Sequence, residues 1–313
     1  MRAVVVRDGE LLVEERPDPE PGSGEVLVRV RAAGLNGADM LQRQGAYPAP
    51  PGSPPDIPGL ELAGEVAALG PDAGRFGEGD RVMAVVGGGG QAELAVVHER
   101  AAMPVPESLD WPAAGGLPEV FMTAHDALFT QAGLRPGEHL LVHGAAGGVG
   151  TAAVQLGRAA GARVTATVRR EELRSAVEEL GARAIDPEGF ADHGPYDVVL
   201  ELVGASNLTD NLKSLATGGR IAVIGVGGTG PKGEINLVMV MQKRARIHGS
   251  TLRARPLEEK AAAARRLEKE VLPHFADGTL KVPVAETFEL DRVADAYDRF
   301  TAGGKLGKIV LLP

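Results

Sequence analysis

Cysteine is absent from the 313 residues, and with it go disulfides, thiolate zinc sites, iron–sulfur clusters and cysteine nucleophiles. A reducing, cytoplasmic setting is permitted by that absence and is the setting expected here. Aromatic residues make only 4% of the chain, so the core must be built from Ala, Val, Leu and Ile, and a Tyr or Phe beside a pocket gains weight. Positive charge is also short: 33 Lys and Arg stand against 42 Asp and Glu, a net −9 with no basic cluster. An acidic chain is a poor counterpart for a polyanion, which sets aside nucleic acids and anionic membrane surfaces. Long apolar runs are missing too. The longest uncharged stretch, His139 to Gly157, is broken by Gly144, Gly147, Gly148 and Gly150, so it reads as strand, turn and helix rather than a membrane span. The opening MRAVVVRDGE holds only Ala3 to Val6 before charge resumes, a first strand rather than a targeting segment.

What is present suits a globular chain of two domains, on a prior of roughly 150 residues each. Glycine and proline together make about a fifth of the residues, below the roughly 25–30% that signals low complexity. The first third reads as β-rich: Val26, Val28 and Val30 alternate along Glu25 to Arg31, and Glu61 to Leu69, Arg81 to Val86 and Gln91 to Val97 are further short runs. Between them lies Tyr47 to Gly59, whose six prolines exclude helix and central strand and predict a stiff loop. From about Trp111 strands and helices alternate. Strands are expected at Leu140 to His143, Arg163 to Val168, Asp197 to Leu202, Arg220 to Ile224 and Ala245 to Gly249. Helices are expected at Gly150 to Ala160, Glu171 to Leu180 and Asn207 to Leu215. That rhythm predicts an α/β fold with a doubly wound parallel sheet. A long helix from Leu257 to Phe275, a strand near Phe288, a helix over Val293 to Phe300 and a last strand, Lys308 to Leu312, close the chain.

The segment Leu140-Leu141-Val142-His143-Gly144-Ala145-Ala146-Gly147-Gly148-Val149-Gly150 runs an apolar strand into a glycine loop that opens an Ala-rich helix. This is the setting of a dinucleotide fingerprint: Gly147 lets the backbone approach a pyrophosphate, Gly150 lets helix and strand lie close, and the helix N-terminus offers free N–H groups. Ala146, Gly147, Gly148 and Val149 are the candidate phosphate contacts. Ala145 stands where the first glycine of G-x-G-x-x-G belongs, and glycines also serve any tight strand-to-helix turn. Ligands of doubly wound sheets sit beyond the C-terminal strand ends, which adds Val203 and Gly204, Gly225 and Val226, and Ser250 with Leu252. Each of these is equally a place for a glycine turn with no ligand.

The whole chain resembles the zinc-independent quinone oxidoreductases of the medium-chain dehydrogenase/reductase superfamily, in their zeta-crystallin-like and p53-inducible branches. The resemblance rests on Gly34-Leu35-Asn36-Gly37-Ala38-Asp39, Arg43-Gln44-Gly45-Ala46-Tyr47-Pro48, Pro58-Gly59-Leu60-Glu61, Gly79-Asp80-Arg81-Val82, Leu117-Pro118-Glu119, the glycine loop, Gly249-Ser250-Thr251-Leu252-Arg253 and Gly307-Lys308-Ile309-Val310. It implies a GroES-like catalytic domain, residues 1–118 and 250–313, with a Rossmann NADP-binding domain, 119–249, inserted. It implies reduction by NADPH of a small quinone or related conjugated carbonyl in the interdomain cleft. An enoyl or alkenal reductase of the same superfamily, and an NADPH-binding protein with little catalysis, are the alternatives. A homodimer is implied as well, since such proteins pair the edge strands of their Rossmann sheets. Asn236 to Gln242, an apolar run of the sort an unpaired edge needs covered, is the expected seam.

Zinc alcohol dehydrogenases of the superfamily ligate zinc with an early Cys and a His in a Gly-His-Glu turn. Here Asn36 falls near the first position and Leu60 replaces the His, and the seven histidines show no ligand spacing with carboxylates. No metal site is expected. Hydride transfer without a Lewis acid relies on the acceptor's electron affinity, on positioning and on hydrogen bonds to developing charge, and quinones suit such a site. Tyr47 is the candidate donor to the acceptor oxygen, against the alternative of a tyrosine packing its loop. By resemblance Asn36 faces the nicotinamide and Thr123 lies near its ribose or carboxamide, the competing reading of Thr123 being an intrahelical bond. Asp39 is read as a helix cap or a surface charge. The departures are Glu201 where the family usually has Asp, Gln91 where an aromatic is common, and Pro187 where some members place a Tyr near the cofactor phosphate.

NADPH is expected over NADH on the residues after the second Rossmann strand. An NAD enzyme places an acid at that strand's end, about 20 residues past the glycine loop, for the ribose hydroxyls. Here Val168 holds the position and Arg169 and Arg170 follow, positive charges at a helix start where the dipole disfavours them. A 2′-phosphate accounts for both. The alternative is that both are solvated, with Glu171 and Glu172 serving the dipole.

Overall fold

A computed structural model describes residues 1–313. The chain opens with β1 (Arg2–Arg7) and β2 (Glu10–Glu15), an antiparallel hairpin that pairs Val4 with Val13 and Val5 with Leu12. Its turn, Asp8-Gly9, takes positive φ at both residues, as a two-residue hairpin loop requires. β3 (Glu25–Gly34) buries Val26, Val28 and Val30 and exposes Arg29 and Arg31, the period-2 pattern of its sequence. It leads into α1 (Gly37–Arg43), and after the proline loop come β4 (Glu61–Leu69), β5 (Arg81–Val85), β6 (Leu94–His98) and β7 (Ala102–Pro104). β3 pairs antiparallel with β4 on one edge and β6 on the other, and β4, β5 and β7 continue the sheet. Two helices, α2 (Trp111–Gly115) and α3 (Pro118–His125), follow.

Within α3 the chain passes from one compact unit to another: Met1–Met122, Leu252–Gly303 and Lys308–Pro313 form the first, Thr123–Thr251 with Gly304–Gly307 the second. The second unit carries β8 (His139–Val142), α4 (Gly148–Ala159), β9 (Arg163–Thr167), α5 (Arg174–Glu179), β10 (Arg183–Ile185), β11 (Tyr196–Glu201), α6 (Leu208–Ser214), β12 (Leu215–Val223), α7 (Leu237–Lys243) and β13 (Arg246–Gly249). Every pairing is parallel, in the order β10-β9-β8-β11-β12-β13. Strand order reverses between β8 and β11, and a doubly wound sheet takes its ligand at such a switch point. Leu141, Ile185, Tyr196, Val199 and Ile221 pack its core.

Back in the first unit, α8 (Leu257–Glu270), α9 (Pro273–Ala276), β14 (Val284–Glu289), α10 (Val293–Ala302) and β15 (Lys308–Leu312) complete the fold. β15 lies parallel to β14 and antiparallel to the end of β3. Val28, Val30, Leu62, Val66 and Val82 fill one core and Leu35, Phe288, Tyr297 and Ile309 another.

Three expectations are corrected. Asn236 to Gln242 is no edge strand: it is α7, capped by the Asn236 side chain accepting from the Met239 N–H at 3.1 Å, and the sheet edge is β13. The helix expected from Leu257 to Phe275 stops at Glu270, because Pro273 cannot continue the hydrogen-bond ladder and instead begins α9. The helix expected from Glu171 is a 3₁₀ turn, Glu171–Leu173, before α5, so Arg169 and Arg170 do not face the dipole of a full helix.

Candidate functional site

In the second unit the glycine loop turns sharply at Gly144, whose φ of 62° suits glycine, and Gly147 caps α4 with no side chain to satisfy the first turn. The first intrahelical bond runs from the Thr151 N–H to the Gly147 carbonyl at 2.8 Å. The amides of Gly148, Val149 and Gly150 therefore precede the ladder and point from the positive end of a 12-residue helix. A Cβ on Gly150 would stand 2.5 Å from the Gly144 carbonyl oxygen and 2.6 Å from the Ala145 Cα, so only glycine lets the first turn of α4 lie this close to the loop that follows β8. This cradle fits the pyrophosphate of a dinucleotide. The segment Gly304–Gly307 lies against it, the Gly307 N–H donating to the Ala146 carbonyl at 2.8 Å.

The loop after β11 is built around Glu201, a residue the sequence marked only as a departure from the family. One carboxylate oxygen accepts from the Val203 and Gly204 amides at 2.7 and 2.9 Å, the other from the Asn211 side chain at 2.8 Å. The Asn211 amide oxygen lies 2.8 Å from His143 Nε2, and Thr167 Oγ1 lies 3.1 Å from Nδ1. An amide oxygen only accepts, so the network assigns the His143 proton to Nε2. Burial pushes the His143 pKa down, which keeps this bridge between the end of β9 and α6 neutral. The Gly228 and Thr229 amides donate to the Val203 carbonyl at 2.9 and 3.1 Å, and a Cβ on Gly225 would meet the Leu202 carbonyl at 2.6 Å. Residues 143–149, 203–204 and 225–226 thus converge at the switch point. Ser250 donates its hydroxyl to Asp126 at 2.9 Å, Thr123 is buried at the start of this unit, and Leu252 is buried in the other.

Val168 follows β9, buried, its N–H bonded to the Ile185 carbonyl at 2.9 Å. Arg169 and Arg170 are exposed. Arg170 reaches Glu172 at 3.4 Å and lays its guanidinium over Gly304, where a Cβ would stand 2.8 Å from Nε. Arg174, not singled out from the sequence, donates to the Val168 carbonyl at 3.3 Å and pairs with Asp186.

In the first unit Asn36 caps α1, and Asp39 proves a buried cap rather than a surface charge: its carboxylate accepts from the Asn36 amide at 2.8 Å and the Gly59 amide at 3.1 Å. Burial lifts the Asp39 pKa to about 7 even so. The Asn36 side chain is engaged at both ends, accepting from Lys308 Nζ at 2.7 Å and donating to Glu61 at 2.9 Å. Glu61 and Lys308 pair at 2.6 Å with almost no exposure, and the second Glu61 oxygen accepts from the Glu119 amide at 2.8 Å. Tyr47 is half-buried, its phenol pushed up by burial and by Glu119 and drawn down by Arg253, so it stays protonated at neutral pH and able to donate. Asn36 and Tyr47 share this unit, Asn36 at the start of α1 and Tyr47 joined to Gln42 of α1 through Arg253. Glu61, Lys308 and Arg253 were legible only as members of resembling motifs.

Residues 22–107 match the alcohol dehydrogenase GroES-like domain family and 148–269 the family described as zinc-binding dehydrogenase. A GroES-like β unit carrying a doubly wound sheet with this glycine loop defines the medium-chain dehydrogenase/reductase class of oxidoreductases. The quinone oxidoreductase of Rattus norvegicus is 34% identical over 306 residues, covering 94% of this chain and 91% of that protein. The solved quinone oxidoreductase of Thermus thermophilus, described with its NADPH complex, is 35% identical at a TM-score of 0.86 over 100% of both chains. The chain belongs to the quinone oxidoreductase family. The acryloyl-coenzyme A reductase of Metallosphaera sedula is also similar, 31% identical over 99% of each chain. The residues do not fit a zinc ion: Leu60 is apolar and buried, Glu61 is committed to Lys308, and no three His, Asp or Glu side chains are grouped to hold a metal.

Proposed function

We propose that this chain is an NADPH-dependent quinone oxidoreductase acting on a small quinone or related conjugated carbonyl. The observation that carries the reading is the end-to-end relation to quinone oxidoreductases together with an uncapped α4 N-terminus at the switch point. The amides of Gly148 and Val149, with Ala146 and Gly147, bind the pyrophosphate, while Val203, Gly204, Gly225, Val226, Ser250 and Leu252 line the path toward the nicotinamide. Bound NADPH supplies the hydride. Asn36, held by Lys308 and Glu61, presents a rigid α1 start to the nicotinamide side, and Thr123 orients the ribose or carboxamide. Tyr47 gives its proton to the acceptor oxygen, so hydride plus proton complete the two-electron reduction, and the phenol recovers a proton from water.

Preference for NADPH is supported by Val168 in the place of a ribose-binding acid and by the exposed guanidinium groups of Arg169 and Arg170. Each Arg–phosphate contact is worth roughly 1.5–3 kcal/mol, about ten- to a hundredfold in affinity. Replacing both arginines with Ala is expected to weaken NADPH binding steeply and leave NADH nearly unchanged; equal affinity of the unaltered chain for both cofactors overturns the assignment. Turnover of a panel of small quinones, enals and enoyl thioesters tests the acceptor class. The second reading, reduction of a conjugated carbon–carbon double bond, is favoured by the acryloyl-coenzyme A reductase relative, and preferential turnover of enoyl thioesters would establish it.

The proposal extends to a homodimer. β13 pairs only with β12 in the sheet, and α7, the helix that leads into it, exposes Leu237, Val238 and Met241 at 67%, 61% and 75%. An open strand edge and an apolar patch together call for a partner, and a second copy of this chain supplies both complements at once.

A further inference from the structure

Arg253 follows the last Rossmann strand by four residues, yet it belongs to the first unit and is only 2% exposed. A guanidinium so buried must replace the water it loses, donor by donor. Its Nε donates to the Gly87 carbonyl at 2.8 Å, one terminal nitrogen to the Tyr47 carbonyl at 2.9 Å, and the other to Gln42 Oε1 at 2.5 Å. Its central carbon also lies 5.1 Å from the centroid of the Tyr47 ring, within the range of a cation–π contact. One side chain thus binds α1, the glycine stretch after β5 and the start of the proline loop. It holds Tyr47 twice, by backbone and by ring.

We propose that Arg253 is the positioning residue for Tyr47, fixing the loop at the tyrosine carbonyl and the ring at its face so that the phenol is presented to the acceptor in one orientation. The inference rests on the reading of Tyr47 as proton donor. The residue type follows from the geometry: a planar fork makes in-plane bonds to separate acceptors while its face covers a ring, and an ammonium cannot do both. Its charge opposes burial and Glu119, which disfavour the phenolate, and so lowers the cost of releasing the proton. Glu119, Lys260 and Asp39 are the other ionisable groups that act on this pair: Glu119 and Asp39 act on Arg253, and Lys260 interacts with both Glu119 and Arg253.

The test compares Arg253→Met and Arg253→Lys, each in the unaltered chain and beside Tyr47→Phe. The chain has three tyrosines; burial lifts Tyr196 to about 12 and Tyr297 well above the ordinary tyrosine value, and the phenolate transition at 295 nm that Tyr47→Phe removes is the one assigned to Tyr47. Arg253→Met is expected to move that transition upward and to cut kcat for weakly electrophilic acceptors by about tenfold, with KM for NADPH within about twofold. Arg253→Lys is expected to restore the transition toward its original position and only part of kcat. Beside Tyr47→Phe, either arginine variant should cost less than about twofold more. A transition that stays in place, or losses that multiply in the Tyr47→Phe background, overturns the proposal. Should Arg253→Met fail to fold, Arg253→Lys decides by the same double-variant comparison. If Tyr47→Phe alone leaves turnover intact, the proton-donor reading fails, while the shifted transition still reports the contact.

Discussion

Lys308 and Glu61 make an ion pair at 2.6 Å whose side chains are 3% and 0% exposed. Such a pair is worth little against an apolar substitute, but breaking it strands a charge away from water. Lys308→Met is therefore expected to lower the unfolding free energy by about 3–5 kcal/mol, and Glu61→Gln added to it to recover part of the loss; urea unfolding checks both, and equal losses would show that packing of the lysine stem matters and the charge does not. Asp39, a few residues along α1, poses the opposite problem. Its pKa rises from 3.8 to about 7 on burial, so folding favours its protonated form. That contribution is complete below about pH 4 and is lost toward pH 7, at about 1.4 kcal/mol per pH unit across the window. Asp39→Asn is expected to flatten this slope, although the amide leaves one of the two backbone donors poorly matched. Parallel pH profiles for the two proteins between pH 4 and 7 would remove Asp39 from the account.

At the scale of elements, α4 is positioned by what Gly150 lacks. A methyl group there would sit 2.5 Å from a backbone oxygen, and the obstacle is main chain, which cannot swing aside as a side chain does. Gly150→Ala is expected to cost about 1–3 kcal/mol of stability and to weaken dinucleotide binding by at least about tenfold, because the amides of the first turn are displaced with the helix. Calorimetric titration with NADPH is the measurement; unchanged affinity would mean the helix end is not the phosphate site. The loops around it are less free than their glycines suggest. Glu201 gathers the Val203 and Gly204 amides, and the Val203 carbonyl in turn gathers Gly228 and Thr229. One carboxylate thus orders two loops at the switch point.

For the molecule as a whole, the open edge of β13 and the apolar face of α7 lead to a prediction about mass. Light scattering at micromolar concentration is expected to return twice the chain mass, and Met241→Glu or Val238→Glu, charges placed on side chains exposed at 75% and 61%, to shift it toward a single chain. A specific interface of this kind buries at least about 1,000 Å². A single-chain mass for the unaltered protein would end the homodimer reading.

The sequence by itself determined the local architecture. The alternation along β3, the apolar strand into a glycine loop, the strand–helix rhythm that follows and the last strand at Lys308–Leu312 are all carried by periodicity and backbone chemistry acting over a few residues, and they were enough to place a doubly wound parallel sheet in an α/β fold, while the family rested on the resemblance of its motifs. Only the tertiary structure decided the rest. A short apolar run such as that within Asn236 to Gln242 has no period that separates edge strand from short helix, and the Asn236 cap and its neighbours made it helical. The helix read through Phe275 broke because Pro273 removes a donor, which local rules state but a run of helix formers disguised. The polar partners were hidden most deeply. Asn36 and Lys308 are 272 residues apart and Gln42 and Arg253 are 211 apart, and nothing in a one-dimensional pattern says which buried acid meets which buried base. Strand order brings them together, and the cost of leaving any one of them unpaired keeps them there.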